Sequence, residues 1–283
     1  MSTSVNISKA RNEFVGEAFG TFILVFFGCG SVATSVLTGA QVGIFQVAIV
    51  WGIGIVLAIQ LTSSLSGSHL NPAVTLALAT ERRLPWNKVP RYVVAQFLGA
   101  IAASAIIHLI FGGALIEFEN AKHIIRGQPG SEVSAMIFGE YFPNPAWKTI
   151  GSGVISHLRA FVIEAIGTAI LMLVILGITD AKNTGKISAH APWMIGLTVT
   201  ILISLLGPLT QAAFNPARDL GPRIYSALVG WGLWPFEANG WGWFTVYVLA
   251  PICGAQAGSF AHRLFLLPGY ATSQTPPSHH TAE

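Results

Sequence analysis

The sequence predicts an all-α integral membrane protein with six transmembrane helices and two shorter re-entrant half-helices, built as an inverted internal repeat. Composition is the first reason: of 283 residues, 52% are apolar and only 10% are charged, less than half the roughly 25% charged content of a soluble domain. The second is length. A helix needs about 20 apolar residues to cross a hydrocarbon core, and six segments reach that, at roughly 14–36, 43–62, 93–112, 160–178, 191–208 and 244–267. The third is self-similarity between the two halves.

The first span follows Lys9 and Arg11. Its apolar run is too long for a signal peptide and no cleavage-like site follows, so it is read as an uncleaved span. In sorting the loops by basic residues, Lys9, Arg11, Arg82, Arg83, Lys88, Arg91, Lys182, Lys186 and Arg263 fall on one side. Lys122, Arg126 and Lys148 fall on the other, diluted by Glu117, Glu119, Glu132 and Glu140. The first side is therefore expected in the cytoplasm, with both termini, in a multi-pass protein of the plasma (inner) membrane. Residues 113–157 form the one sizeable extramembrane segment, without clear period, expected to fold over the outer mouth. The expected organisation is one membrane domain, 1–267, with repeats at about 12–112 and 158–267, and a disordered polar tail, 268–283.

The repeat shows in three places. Glu17-Ala18-Phe19-Gly20-Thr21 in span one matches Glu164-Ala165-Ile166-Gly167-Thr168 in span four. Asn71-Pro72-Ala73 matches Asn215-Pro216-Ala217, and Gly99-Ala100 in span three matches Gly254-Ala255 in span six. Each half holds three spans, and an odd number inverts the second half against the first, which places a solute path at their interface.

Two apolar segments, about 65–79 and 209–229, are too short to span. Asn is a favoured N-cap and Pro a favoured first helical residue, so each Asn-Pro-Ala starts a half-helix after extended chain. Extended backbone at membrane depth is tolerated only inside protein or beside a polar cavity, and a pore accounts for both copies. The half-helix N-termini then meet near the midplane, where their positive dipole ends repel cations and protons.

Other classes fit poorly. Basic and acidic residues nearly balance, 15 against 12, and the basic ones are dispersed, which disfavours nucleic acid as a partner. Cys29 and Cys253 have neither metal-site nor disulfide-scaffold spacing, and no metal or cofactor is expected. No nucleophile, base and orienting group form a recognisable set, so the chain does not read as an enzyme. An ion-coupled secondary transporter is the alternative from another class, since it too uses inverted repeats. Coupling needs a titratable group in the path, and beyond Glu17 and Glu164 the spans offer almost none.

Ser68-His69-Leu70-Asn71-Pro72-Ala73-Val74-Thr75 and Asn215-Pro216-Ala217-Arg218-Asp219-Leu220-Gly221-Pro222-Arg223, within six inverted spans, resemble the major intrinsic proteins, the aquaporins and aquaglyceroporins. The resemblance covers about residues 12–265. It implies a passive channel for small uncharged solutes, assembled as a homotetramer with one pore per subunit. A third copy, Asn144-Pro145-Ala146, lacks an apolar half-helix and is given no pore role. Asp219, Arg223 and Pro251-Ile252 resemble the glycerol-facilitator subclass, as does Phe142-Pro143-Asn144-Pro145.

By the same resemblance Trp51, Ile203, Ala212 and Arg218 form the selectivity filter. Glycerol facilitators generally carry Gly at position 203 and Phe at 212, and a water-selective filter carries His at 203, so this quartet looks more like that of the nodulin-26-like channels. Glycerol and related polyols are expected to pass with water; a channel mainly for water, or for urea or neutral metalloid hydroxides such as arsenous acid, is the alternative. Gly67, Ser68 and His69 are expected to line the inner half-pore with carbonyls, and Gln211, Ala212 and Ala213 the outer half. Glu17 and Glu164 could relay protons, but the resemblance implies that they brace the loops. Asn71 and Asn215 are expected to keep side-chain N–H groups free for a passing oxygen.

Overall fold

The structure, a computed structural model, describes residues 2–147, 153–185 and 188–272. Lys148 and Lys186 of the charge asymmetry, and positions 273–283 of the tail, lie outside the described residues. Among the described residues, six helices are long and apolar enough to cross a membrane: Ile7–Thr38, Ile44–Ser66, Trp86–Lys122, His157–Thr179, Ala191–Thr210 and Gly242–Tyr270. Between the second and third lies the half-helix Pro72–Thr80, and between the fifth and sixth the half-helix Pro216–Ser226.

The packing repeats with the sequence. Span one packs on spans two and three, span four on spans five and six, and spans two and five join the halves. The first half-helix leans on span six and the second on span three, so each half inserts its short helix against the other half. Large apolar side chains remain on the outside, among them Phe19, Leu109, Ile110, Leu158 and Leu205. In a soluble protein they would be a liability; against lipid they need no cover.

Spans one and three touch backbone to backbone at Gly99, where an added Cβ would collide with the Ala18 carbonyl. Spans four and six do the same at Gly254 against Ala165. Small residues allow such close approach, and close contact drives helix association in lipid. Gly254→Val is therefore expected to destabilise the channel by about 1–3 kcal/mol or more, because a carbonyl cannot yield as a side chain can. Thermal unfolding in detergent checks this, with Gly30→Ala, which meets nothing within 4 Å, as the comparison; equal midpoints would show the contact to be loose.

Two expectations are corrected. The third span does not end near residue 112: its helix runs Val89–Lys122, 34 residues, or about 51 Å at 1.5 Å per residue, and it projects well beyond a hydrocarbon core of about 30 Å. Gly112, Gly113, Glu117 and Glu119 interrupt the apolar run without interrupting the helix, which ends at the left-handed His123 (φ 54°). The tail was expected to be without structure from Pro268, yet Leu267–Thr272 is helical.

Candidate functional site

Each Asn-Pro-Ala caps its half-helix in the same way. Asn71 is extended (φ −156°, ψ 121°) and its Oδ1 accepts the Ala73 N–H at 2.9 Å. Asn215 is extended (φ −150°, ψ 107°) and its Oδ1 accepts from Ala217 and Arg218 at 3.0 and 3.3 Å. The two caps also exchange bonds: Asn71 Nδ2 donates to the Phe214 carbonyl and Asn215 Nδ2 to the Leu70 carbonyl, both at 2.8 Å. The amides are thus not wholly free. One N–H of each ties the halves together, and an amide nitrogen has two, so among the described residues one N–H per Asn is left over.

The chain ahead of each cap has the same unusual backbone. Gly67, Ser68 and Leu70 have φ of 86°, 53° and 53°; Gln211, Ala212 and Phe214 have 64°, 61° and 51°. These positions stand four, three and one residue before each Asn. Left-handed non-glycine residues cost on the order of 1–3 kcal/mol each and persist only where the surroundings hold them. Here two buried glutamates do so. Glu17 accepts from the N–H groups of His69 (2.9 Å) and Leu70 (2.8 Å) and from Gln96 Nε2 (2.7 Å). Glu164 accepts from Ala213 (3.2 Å), Phe214 (2.8 Å) and the Thr210 hydroxyl (2.6 Å).

Between the halves lies a cavity of about 430 Å³. Gly67, Ser68, His69, Leu70, Ala212, Ala213 and Phe214 line it with the two caps, facing an apolar wall of Leu24, Ile55, Ile59, Leu171, Ile175, Ile195 and Val199. His69 Nδ1 lies 3.3 Å from Thr75 Oγ1, and its ring is 4.9 Å from that of Tyr92. At one end stand Arg83 and Thr179, with Arg83 bonded to Asp180 at 2.6 Å. Burial alone would raise the Asp180 carboxyl, but the Lys182 N–H and the Arg83 guanidinium hold it below its ordinary value.

At the other end the structure brings Trp51, Ile203, Ala212 and Arg218 together. The guanidinium carbon of Arg218 lies 4.3 Å above the Trp51 ring. Its Nη1 donates to the Phe138 carbonyl at 3.1 Å and to Cys29 Sγ at 3.5 Å, and its Nη2 pairs with Glu140. Guanidinium carries five N–H donors; with two of Nη1 and one of Nη2 occupied, Nε–H and one Nη2–H remain among the described residues.

The other predicted residues stand behind the lining. Pro72, Ala73, Pro216 and Ala217 are buried in the half-helix starts. Gln211 is absent from the main cavity's lining; its side chain instead holds the outer segment, accepting from Tyr141 N–H at 2.8 Å and donating to Met136 O at 3.3 Å. Asp219 and Arg223 pair with each other at 2.8 and 3.0 Å. Pro251 is buried in span six, and Ile252 packs against the first half-helix. Asn144 caps Ala146 at 2.9 Å and donates to the Gly207 carbonyl at 2.8 Å.

Sequence reasoning missed Glu140, Phe138 and Cys29. Glu140 counts there only as one of the acidic residues diluting an outer loop. The available signal was a lone carboxylate within Met136-Ile137-Phe138-Gly139-Glu140-Tyr141-Phe142, too apolar a stretch for a solvated loop.

The model of the major intrinsic protein family matches residues 3–262. The chain is 38% identical over 269 residues to the glycerol uptake facilitator protein of Pseudomonas aeruginosa, covering 94% of this chain and 92% of that one. It is 38% identical over 251 residues to the propanediol uptake facilitator of Salmonella typhimurium, covering 88% and 92%. Among solved structures it resembles the aquaglyceroporin from Plasmodium falciparum, with a TM-score of 0.78 and 28% identity over 93% of this chain and 99% of that one. Six inverted spans, two capped half-helices meeting at their asparagines, and these matches along nearly the whole length make the chain a member of the major intrinsic protein family.

Proposed function

We propose that the chain is a passive channel for glycerol and small neutral solutes, water among them, working as a homotetramer of one-pore subunits in the plasma (inner) membrane with both termini in the cytoplasm. The observation that carries this reading is the cavity, polar along one side and apolar along the other, that joins Arg83 and Thr179 to the Trp51, Ile203, Ala212 and Arg218 quartet. A polyol is itself two-sided. Its hydroxyls exchange water for the loop carbonyls, the free asparagine N–H groups and the remaining Arg218 donors, while its carbons lie on the apolar wall.

An ion gains much less. The apolar wall replaces no part of its hydration shell, and the two half-helix N-termini oppose a cation at the midplane. Among the described residues lining this main cavity, the charged or titratable side chains are Arg83, Arg218 and His69, and none is a carboxylate. Glycerol is favoured by the relatives' names and by Asp219, Arg223 and Pro251-Ile252. Passage of urea and arsenous acid rests on the small Ala212.

Stopped-flow light scattering on proteoliposomes tests the reading with imposed gradients of water, glycerol, urea and arsenous acid. Glycerol flux well above empty vesicles and without an ion gradient is expected. Water flux alone would show a tighter constriction, and urea or arsenous acid flux without glycerol would give the quartet precedence over the subclass residues. Ala212→Phe, with Ile203 retained, puts two large groups into one constriction. It should cut glycerol flux about tenfold, ~1.4 kcal/mol in barrier, and Ile203→Gly in the same chain should restore it. Parental flux in the single variant would remove Ala212 from the filter.

A further inference from the structure

Arg218 is matched by a carboxylate. Glu140 is 0% exposed and meets Arg218 Nη2 through Oε1. Among the described residues neither of its oxygens accepts a hydrogen bond from another group. Its backbone is clamped on both sides: its N–H donates to Asp219 Oδ1 at 2.6 Å and its carbonyl accepts from Arg223 Nη2. Asp219 and Arg223 cancel each other's charge within their own ion pair, and Glu140 is left to cancel that of Arg218. Glu140 also borders a small cavity of about 50 Å³ directly outside the quartet, shared with Trp51, Ile203, Gln211 and Arg218.

The half-helix N-termini and an unmatched arginine would repel cations, but the same field would draw anions into the path. We propose that Glu140 is a specificity-determining residue of the pore, the counter-charge that keeps small monovalent anions out, with Asp219 and Arg223 as its positioning residues. The inference rests on the reading of Arg218 as part of the constriction.

Acid should weaken the barrier. Burial pushes the Glu140 carboxyl up, Arg218 pulls it back, and Asp219 and Glu164 add to the rise. The charged or titratable groups facing it are Arg218, Asp219 and Arg223 of the second half-helix, Glu164 of span four, Cys29 of span one, Tyr247 of span six and the adjacent Tyr141. A carboxyl with a raised pKa takes up its proton in milder acid than an exposed glutamate, and the filter then keeps the arginine's charge alone.

The test is nitrate entry into proteoliposomes holding an anion-quenched fluorophore, with glycerol flux measured on the same vesicles. Nitrate is the probe because its charge does not change with pH. Glu140→Gln is expected to raise the nitrate-to-glycerol permeability ratio about tenfold or more, as for one unmatched charge a few ångströms from the path. Glu140→Asp, which keeps the charge, should not. Asp219→Asn should raise the ratio by loosening the clamp, and nitrate flux through the unaltered chain should rise as the outer pH is lowered.

An unchanged ratio in Glu140→Gln overturns the proposal. So does an unchanged ratio in Glu140→Ser, should the first variant not reach the bilayer folded, or a nitrate flux in the unaltered chain that stays flat with pH. Glycerol conduction with an unmoved nitrate ratio removes this inference alone; a parent chain that conducts no glycerol removes the channel reading and the inference together.

Discussion

Glu164→Ala should abolish solute flux by undoing the outer half of the pore. The carboxylate accepts from two backbone N–H groups and one hydroxyl in a segment that holds Ala212 and Phe214 in left-handed geometry. Orphaned buried donors cost about 1–3 kcal/mol each, so losing these bonds amounts to roughly 3 kcal/mol or more. Among the described residues the strained pair is otherwise held by single bonds, Asn71 Nδ2 to the Phe214 carbonyl at 2.8 Å and the Ala212 N–H to the Thr210 hydroxyl at 3.4 Å. Glu17→Ala should act alike on the inner half, through His69 and Leu70. Glycerol flux per reconstituted protein and monodispersity in detergent are the measurements. Conduction at the parental rate by Glu164→Ala would show that the loop keeps its shape unaided.

Arg218→Ala should turn an ion-tight pore into one that leaks protons and small cations. At a separation of about 5 Å and an effective dielectric constant of about 20, one unit charge changes the energy of a passing cation by ~3 kcal/mol, about a hundredfold in rate. The substitution also leaves Glu140 unopposed, which adds to the attraction. The sign is opposite to that expected of Glu140→Gln, so the pair of variants separates a charge effect from a general loosening of the mouth. Proton entry into vesicles loaded with a pH-sensitive dye, driven by a potassium gradient, reads it out. A folded, glycerol-conducting Arg218→Ala chain as proton-tight as the parent would place the barrier at the asparagines alone.

The sequence carried the architecture because membrane folding imposes few, strong and local constraints. Each span must satisfy its own backbone and present apolar side chains to lipid, so length and hydropathy mark it directly. Asn71-Pro72 and Asn215-Pro216 mark helix starts by the chemistry of two adjacent residues, and the repeat of Glu17 and Glu164 is visible by comparison of the halves. Less was legible where neighbours decide. Gly112-Gly113 and Glu117 look like the end of a span, and packing carries the helix on to Lys122.

What the sequence by itself determined is therefore the six inverted spans, the two half-helices and the meeting of Trp51, Ile203, Ala212 and Arg218 at one end of the cavity. Only the tertiary structure decided how Arg218 is charged and held. Glu140 is 78 positions away from it in the chain, Cys29 is 189 away and Phe138 is 80 away, and no local periodicity or motif links them. An ion pair between distant segments forms because a buried charge needs a partner within a few ångströms, and that distance is set by the folded path of the outer loop.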